Sequence, residues 1–153
     1  MIGVGKMAFV NTRELFRAFP RLKKSDFQIC SPESIEYNCI AWAAGRSDIL
    51  CWPNNQMFWP LTCSCEETIE AFIEFFTTLG YQPCKGGNPE EGMEKIALYA
   101  KENKPKHTAR QLGNGKWTSK LGPSIDIEHD LKDLEGVVYG NVVLYLCRCN
   151  QNS

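Results

Sequence analysis

One short stretch, Tyr37-Asn38-Cys39-Ile40-Ala41-Trp42-Ala43-Ala44-Gly45, restricts the fold of this chain more than any other. Asn38 is a good N-cap, the residues after it are almost wholly apolar, and Gly45 is a natural stop, which together predict a short helix buried within the protein. Such a helix needs layers on either side of it. Cys39 occupies the first helical position, where unpaired backbone N–H groups and the positive end of the peptide dipoles favour a thiolate. That placement makes Cys39 the candidate nucleophile.

The chain has 153 residues, 43% of them hydrophobic and four of them tryptophan, enough to bury one core. A single domain over 1–153 is expected, with 1–11 as a tail or first strand. The apolar run from Met1 to Val10 is too short to span a membrane and lacks a small-residue cleavage site, so a cytoplasmic protein is expected. A formal net charge of −1 gives no basic footprint for nucleic acid. In a reducing compartment the eight cysteines are expected as free thiols. Cys63-Ser64-Cys65 and Cys147-Arg148-Cys149 are too closely spaced for an ordinary zinc site, and no metal or other cofactor is expected.

Thr12 to Phe19 has a short amphipathic pattern that ends before Pro20. Ser25 to Cys30 reads as extended. Between Trp52-Pro53 and Trp59-Pro60 lies an aromatic loop, either a roof over the core or a wall of a substrate groove. Ser64-Cys65-Glu66-Glu67 has the form of a capping box, and Ile69, Phe72, Ile73, Phe76 and Leu79 follow at helical spacing up to Gly80. From Glu94 the pattern turns to strands. Lys101 to Lys106 reads as a polar, solvated turn that delivers the chain to His107 at the start of a strand.

Gly113-Asn114-Gly115 separates two strand-like runs, and its geometry decides what stands beside His107. A two-residue loop puts His107 on one face with Gln111, Thr118 and Lys120. A three-residue loop with a glycine bulge puts it with Gln111, Trp117 and Ser119. A cationic Lys120 could not accept the imidazole N–H, whereas Ser119 could. A thiolate at a helix start and an imidazole on a later strand are the parts of a cysteine nucleophile and its general base. The other histidine, His129, stands among Asp126, Glu128 and Asp130, and is read as structural rather than as a metal ligand or second base.

Asn38-Cys39 opening a buried helix, followed by His107, a strand, Gly113-Asn114-Gly115 and a second strand, resembles the papain-like superfamily in its compact NlpC-type form. That resemblance implies an α+β fold with an antiparallel sheet packed against the nucleophile helix. It also implies a catalytic Cys39, a base at His107 and an orienting residue at Ser119. Cell-wall enzymes of this kind commonly carry Asp-Cys-Ser where this chain has Asn38-Cys39-Ile40, and His, Asn or Asp in the third role. The run from Glu94 to Tyr139 is also similar to a bacterial family of unknown function.

The expected activity is thiol-dependent acyl chemistry on a peptide, amide or acyl substrate, through a thioester. Asn38 or Gln111 would assist the oxyanion, and Trp42, Trp52, Trp59 and Trp117 would line the substrate site. The competing expectation is a binding module without turnover that recognises a protein partner through the Trp52–Trp59 loop.

Overall fold

The computed structural model describes residues 12–150 and is a mixed α+β structure. The proposed tail at 1–11 lies outside the described residues. In chain order the elements are helix α1 (Thr12–Ala18), strand β1 (Gln28–Ser31), helix α2 (Cys39–Ala43), helix α3 (Ile69–Thr77) and strands β2 (Gln82–Cys84), β3 (Met93–Lys101) and β4 (Lys104–Gln111). Strands β5 (Trp117–Lys120), β6 (Asp126–His129) and β7 (Asn141–Cys149) complete a seven-stranded sheet in the order β1-β6-β5-β4-β3-β7-β2. Every pairing in it is antiparallel.

Alternation along the central strands gives the sheet two apolar faces, and each is covered. Ile96, Leu98 and Leu146 pack under α2 and α3, with Ile40, Ala41, Phe72, Phe75 and Phe76. Ala97, Tyr99, Ala109, Trp117 and Ile127 pack on the opposite face, under Leu15, Phe19 and Leu22 of the N-terminal segment. Helix α2 therefore sits between the sheet and the Cys51–Trp59 loop.

The cap of α3 differs from the one expected. Thr68 accepts the Ala71 N–H through its hydroxyl, so the helix begins at Ile69. Ser64 instead donates its backbone N–H to Glu74, and Glu67 accepts the Trp52 indole N–H. The solvated turn expected over Lys101 to Lys106 is narrower than that, confined to the exposed pair Glu102 and Asn103. Strands β3 and β4 take up the rest of the segment, joined by Glu102 and Asn103, both in the left-handed region at φ 53° and 66°. Two such residues match the twist of a tight hairpin. His107 consequently lies within β4 rather than at its start.

Of the acids around His129, Asp126 and Glu128 lie in strand β6, and Asp130 caps the 3-10 turn Leu131–Leu134 that follows. Among the described residues no helix is long and apolar enough to cross a membrane.

Candidate functional site

Of the two possible hairpins after β4, the chain forms the three-residue one. Leu112 N–H donates to Lys116 O and Gly115 N–H to Leu112 O, and Gly115 takes a φ of +89°. Gln111 then faces Trp117, and Arg110 faces Thr118. This register puts Ser119 on the face of His107 and turns Lys120 to the other. Beyond Arg110 and Thr118 the ladder between β4 and β5 stops, so the two strands part beside His107.

His107 is fully buried in that gap. Its Nε2 lies 2.8 Å from Ser119 Oγ, and the same hydroxyl lies 2.7 Å from His129 Nε2. His129 Nδ1 is 2.8 Å from the Asp130 carbonyl oxygen. The His107 ring also stacks on Tyr139 and meets the edge of Tyr99. His107 Nδ1 has no hydrogen-bond partner. Ser119 and His129 are as fully enclosed as His107, and His129 belongs to the same network rather than to a separate acidic segment.

Cys39 approaches from the α2 side. Asn38 caps the helix by accepting the Ala41 N–H, as its position predicts. Thr108, next to His107, donates its hydroxyl to the Cys39 carbonyl. Backbone donors at Thr108 and Ile40 favour the Cys39 thiolate, but burial outweighs them and pushes the Cys39 thiol up. The expectation of a lowered thiol pKa at the helix start is thus reversed, because desolvation penalises the thiolate more than these donors favour it. Thr108 pairs with Leu98 and shares its face, the one that α2 covers, whereas His107 pairs with Tyr99 on the other, so the thiol meets β4 on the face opposite the imidazole. The field of the sulfur also reaches Tyr139, whose phenol is raised by burial first and by Cys39 second. No hydrogen bond joins the sulfur to the imidazole. Burial, and then His129, hold His107 well below the ordinary histidine value. The resting pair is a neutral thiol and a neutral imidazole.

The remaining expected site residues divide. Asn38 is tied to the loop, with Nδ2 donating to Cys51 O and Oδ1 accepting Cys51 N–H. One amide hydrogen remains to it. Trp42 donates its indole N–H to Thr118 and lies under Arg110. Trp52 and Trp59 both pack on Phe72, and Trp59 donates to Ser64 O, so these two roof the core. Gln111 donates to Gly87 O and Trp117 packs on Tyr145, both at the far end of β4 from His107. They fall outside the cluster because the alternation that places Ser119 beside His107 also carries them along the strand and away from it.

Beside Asn38 a cavity of about 260 Å3 opens between Ile35, Tyr37, Leu50, Met57 and Pro123. Lys120 lies behind Tyr37, not beside the imidazole, and its Nζ is held by the carbonyls of Ser34, Gly122 and Ser124. Among the described residues no cluster of three or more His, Cys, Asp or Glu could hold a metal ion. Sequence reasoning missed Tyr139 altogether. Its only signal was a tyrosine before a turn glycine, which does not say what the ring covers.

Fold and site together define an α+β domain with a cysteine helix on one face of an antiparallel sheet and a buried His-Ser-His cluster on the other. Residues 28–147 match DUF7689, a domain of unknown function, and the chain belongs to that family. No curated protein and no solved structure matches it.

Proposed function

We propose that this protein is a papain-like, NlpC-type cysteine hydrolase or acyltransferase, with Cys39 as nucleophile, His107 as base and Ser119 as the residue that orients the base. One arrangement supports the reading: Thr108, the residue after His107, ties the Cys39 carbonyl to β4 while Ser119 holds His107 Nε2, leaving Nδ1 the unpaired nitrogen. An imidazole with one nitrogen anchored and the other free is arranged as a base.

Cys39 and His107 belong to opposite faces of the sheet, so the reaction uses the gap where β4 and β5 part: the thiol proton passes through it to His107 Nδ1 as the sulfur attacks the carbonyl carbon of an amide or ester. The tetrahedral oxyanion is met by the Cys39 backbone N–H at the start of α2 and by the remaining Asn38 amide hydrogen. When the bond to the leaving group breaks, His107 returns the proton to it. Water, deprotonated by His107, then cleaves the thioester, releasing the acid and restoring the thiol; an amine in place of water gives acyl transfer. Substrate enters by the apolar cavity beside Asn38.

The competing reading is a partner-binding module, favoured by the exposure of Ile35, Met57 and Phe58 around the Trp52–Trp59 loop and by the burial of the histidines. Release of p-nitrophenol from p-nitrophenyl acetate separates the two. On the enzyme reading Cys39→Ala and His107→Ala each lower release about 10²–10⁴-fold, and an acid-quenched digest carries the acetyl group on the Cys39 peptide. If Cys39→Ala releases p-nitrophenol as fast as the parent protein, the enzyme reading is wrong and the binding module replaces it.

A further inference from the structure

The hydrogen bonds around Ser119 have a direction that follows from which atoms can donate. The Asp130 carbonyl can only accept, so His129 Nδ1 must carry a hydrogen. That carbonyl is itself held in place. It accepts the Asp133 N–H as the 3-10 turn Leu131–Leu134 begins, and Asp130 and Asp133 form a reciprocal capping box around it. Burial disfavours the charged form of His129, although the Asp130 carbonyl bond and the carboxylates of Asp133 and Asp130 pull the other way. In the neutral ring the lone pair falls on Nε2.

Ser119 must then donate its hydroxyl hydrogen to His129 Nε2, 2.7 Å away. Its oxygen is left as an acceptor, and the group facing it at 2.8 Å is His107 Nε2, which must therefore carry its own hydrogen. His107 is neutral as well, so its lone pair lies on Nδ1, the nitrogen with no partner. A hydroxyl alone would not decide this, because it can rotate to donate to either ring.

We propose that His129 is a positioning residue for the Cys39 and His107 chemistry: anchored on the Asp130 carbonyl, it acts through Ser119 to fix His107 as the Nε2–H tautomer, with Nδ1 as the base nitrogen. The proposal rests on the enzyme reading for its consequence in turnover, but the tautomer is set by the buried chain itself. His129 touches neither the sulfur nor any substrate. Its role is to remove the alternative in which Ser119 donates to His107 and puts the hydrogen on the wrong nitrogen.

The chain has only two histidines, so their ring nitrogens can be resolved by 15N NMR of the whole protein with labelled histidine. The expected spectrum at neutral pH has His107 protonated at Nε2 and His129 at Nδ1. His129→Phe, which offers Ser119 no acceptor, should move His107 toward the Nδ1–H form. His129→Gln should restore the parent tautomer, because its amide can donate to the Asp130 carbonyl while its oxygen accepts from Ser119. With p-nitrophenyl acetate, His129→Phe should lower kcat by about tenfold or more with little change in KM, and His129→Gln should recover most of it. Parent protein that shows His107 protonated at Nδ1 overturns the proposal without recourse to any variant. A His129→Phe protein that folds and keeps the parent tautomer overturns it too. If the tautomers are as expected but Cys39→Ala leaves hydrolysis unchanged, it is the enzyme reading that has failed, and with it the role of His129 in turnover.

Discussion

The imidazole of His107 lies flat on the phenol ring of Tyr139, with centroids 4.1 Å apart and planes 6° from parallel. Stacking of this kind fixes a ring's plane, while the Ser119 hydroxyl fixes its rotation within that plane. Tyr139 is therefore the second restraint on the candidate base. It is held by a bridge in which Gly136 and Gly140 exchange backbone hydrogen bonds at 2.9 and 2.8 Å.

Gly140 is the weak point of that arrangement. It has a φ of +74°, and a Cβ built there would stand 2.0 Å from the Ala100 carbonyl oxygen and 2.9 Å from Lys101 Cα. These are backbone atoms of β3 and cannot rotate away. Gly140→Ala is expected to cost about 2–4 kcal/mol, whereas Gly113→Ala, with open space around it, should stay within about 0.5 kcal/mol. Urea denaturation midpoints of the two variants check the difference. A Gly140→Ala protein as stable as the parent would show that the bridge does not hold Tyr139.

What could be read from sequence was local. The Asn38 cap, the end of the first helix before Pro20 and the two possible loops after Leu112 all depend on residues a few positions apart. Even there the Glu102-Asn103 hairpin was obscured, because glutamate seldom adopts the left-handed conformation that it takes in this turn. The cluster at Ser119 needs β4, β5 and β6 in one register, and the Tyr139 stack needs a bridge after the sheet has nearly closed. No spacing in the chain announces either. The thiol's pKa was misjudged for a related reason: the donors at the helix start are visible in sequence, but the depth of burial that outweighs them is not.

Lys120 offers a test of the wall around the site. The side chain is fully buried, and its Nζ donates to Ser34 O at 2.8 Å, Gly122 O at 2.6 Å and Ser124 O at 2.7 Å. Lys120→Met fills much of the same volume but takes the ammonium donor from three carbonyls, of which Ser124 O alone keeps another, the Ser34 N–H, so a loss of about 2–4 kcal/mol is expected. Lys120→Arg should not rescue it, because a planar fork cannot replace three donors on one nitrogen. Thermal melts of both variants decide the point, and a Lys120→Met protein that melts with the parent would sink it.

Acid sensitivity follows from the two histidines. Burial first, joined for His107 by its neighbour, lowers both from the ordinary value of 6.5, so the unfolded chain takes up protons that the native one does not. Their contribution to stability is whole above pH 6.5 and is lost as the pH falls from there toward the native values, by up to about 1.4 kcal/mol per pH unit for each ring. Melting temperature should therefore decline between pH 6.5 and 5, before the carboxylates titrate. His129→Gln should flatten that decline by about one proton's worth. A melting temperature unchanged across this interval would mean that the rings are not buried as neutral groups.

Thiol labelling gives the sharpest reading of Cys39 itself. Cys30, Cys65 and Cys149 are exposed, whereas Cys39 is only 7% exposed and its thiol is pushed up by burial. Helix-start chemistry alone would have Cys39 alkylate first at mildly acidic pH; desolvation reverses the order. With iodoacetamide at pH 6, the three exposed thiols are expected to label well before Cys39, which needs an opening of the α2 face as well as a thiolate. Turnover of an ester need not follow that order, because a neutral thiol can pass its proton to neutral His107 as attack begins. The rate should then be level between about pH 6.5 and 9, the range in which a lowered imidazole and a raised thiol keep their resting forms. Peptide mapping of the labelled protein, beside a pH profile of p-nitrophenol release, tests both halves. Rapid labelling of Cys39 at pH 6 would show that it rests as a thiolate, and that the sulfur is paired with an imidazolium instead of being held neutral by burial.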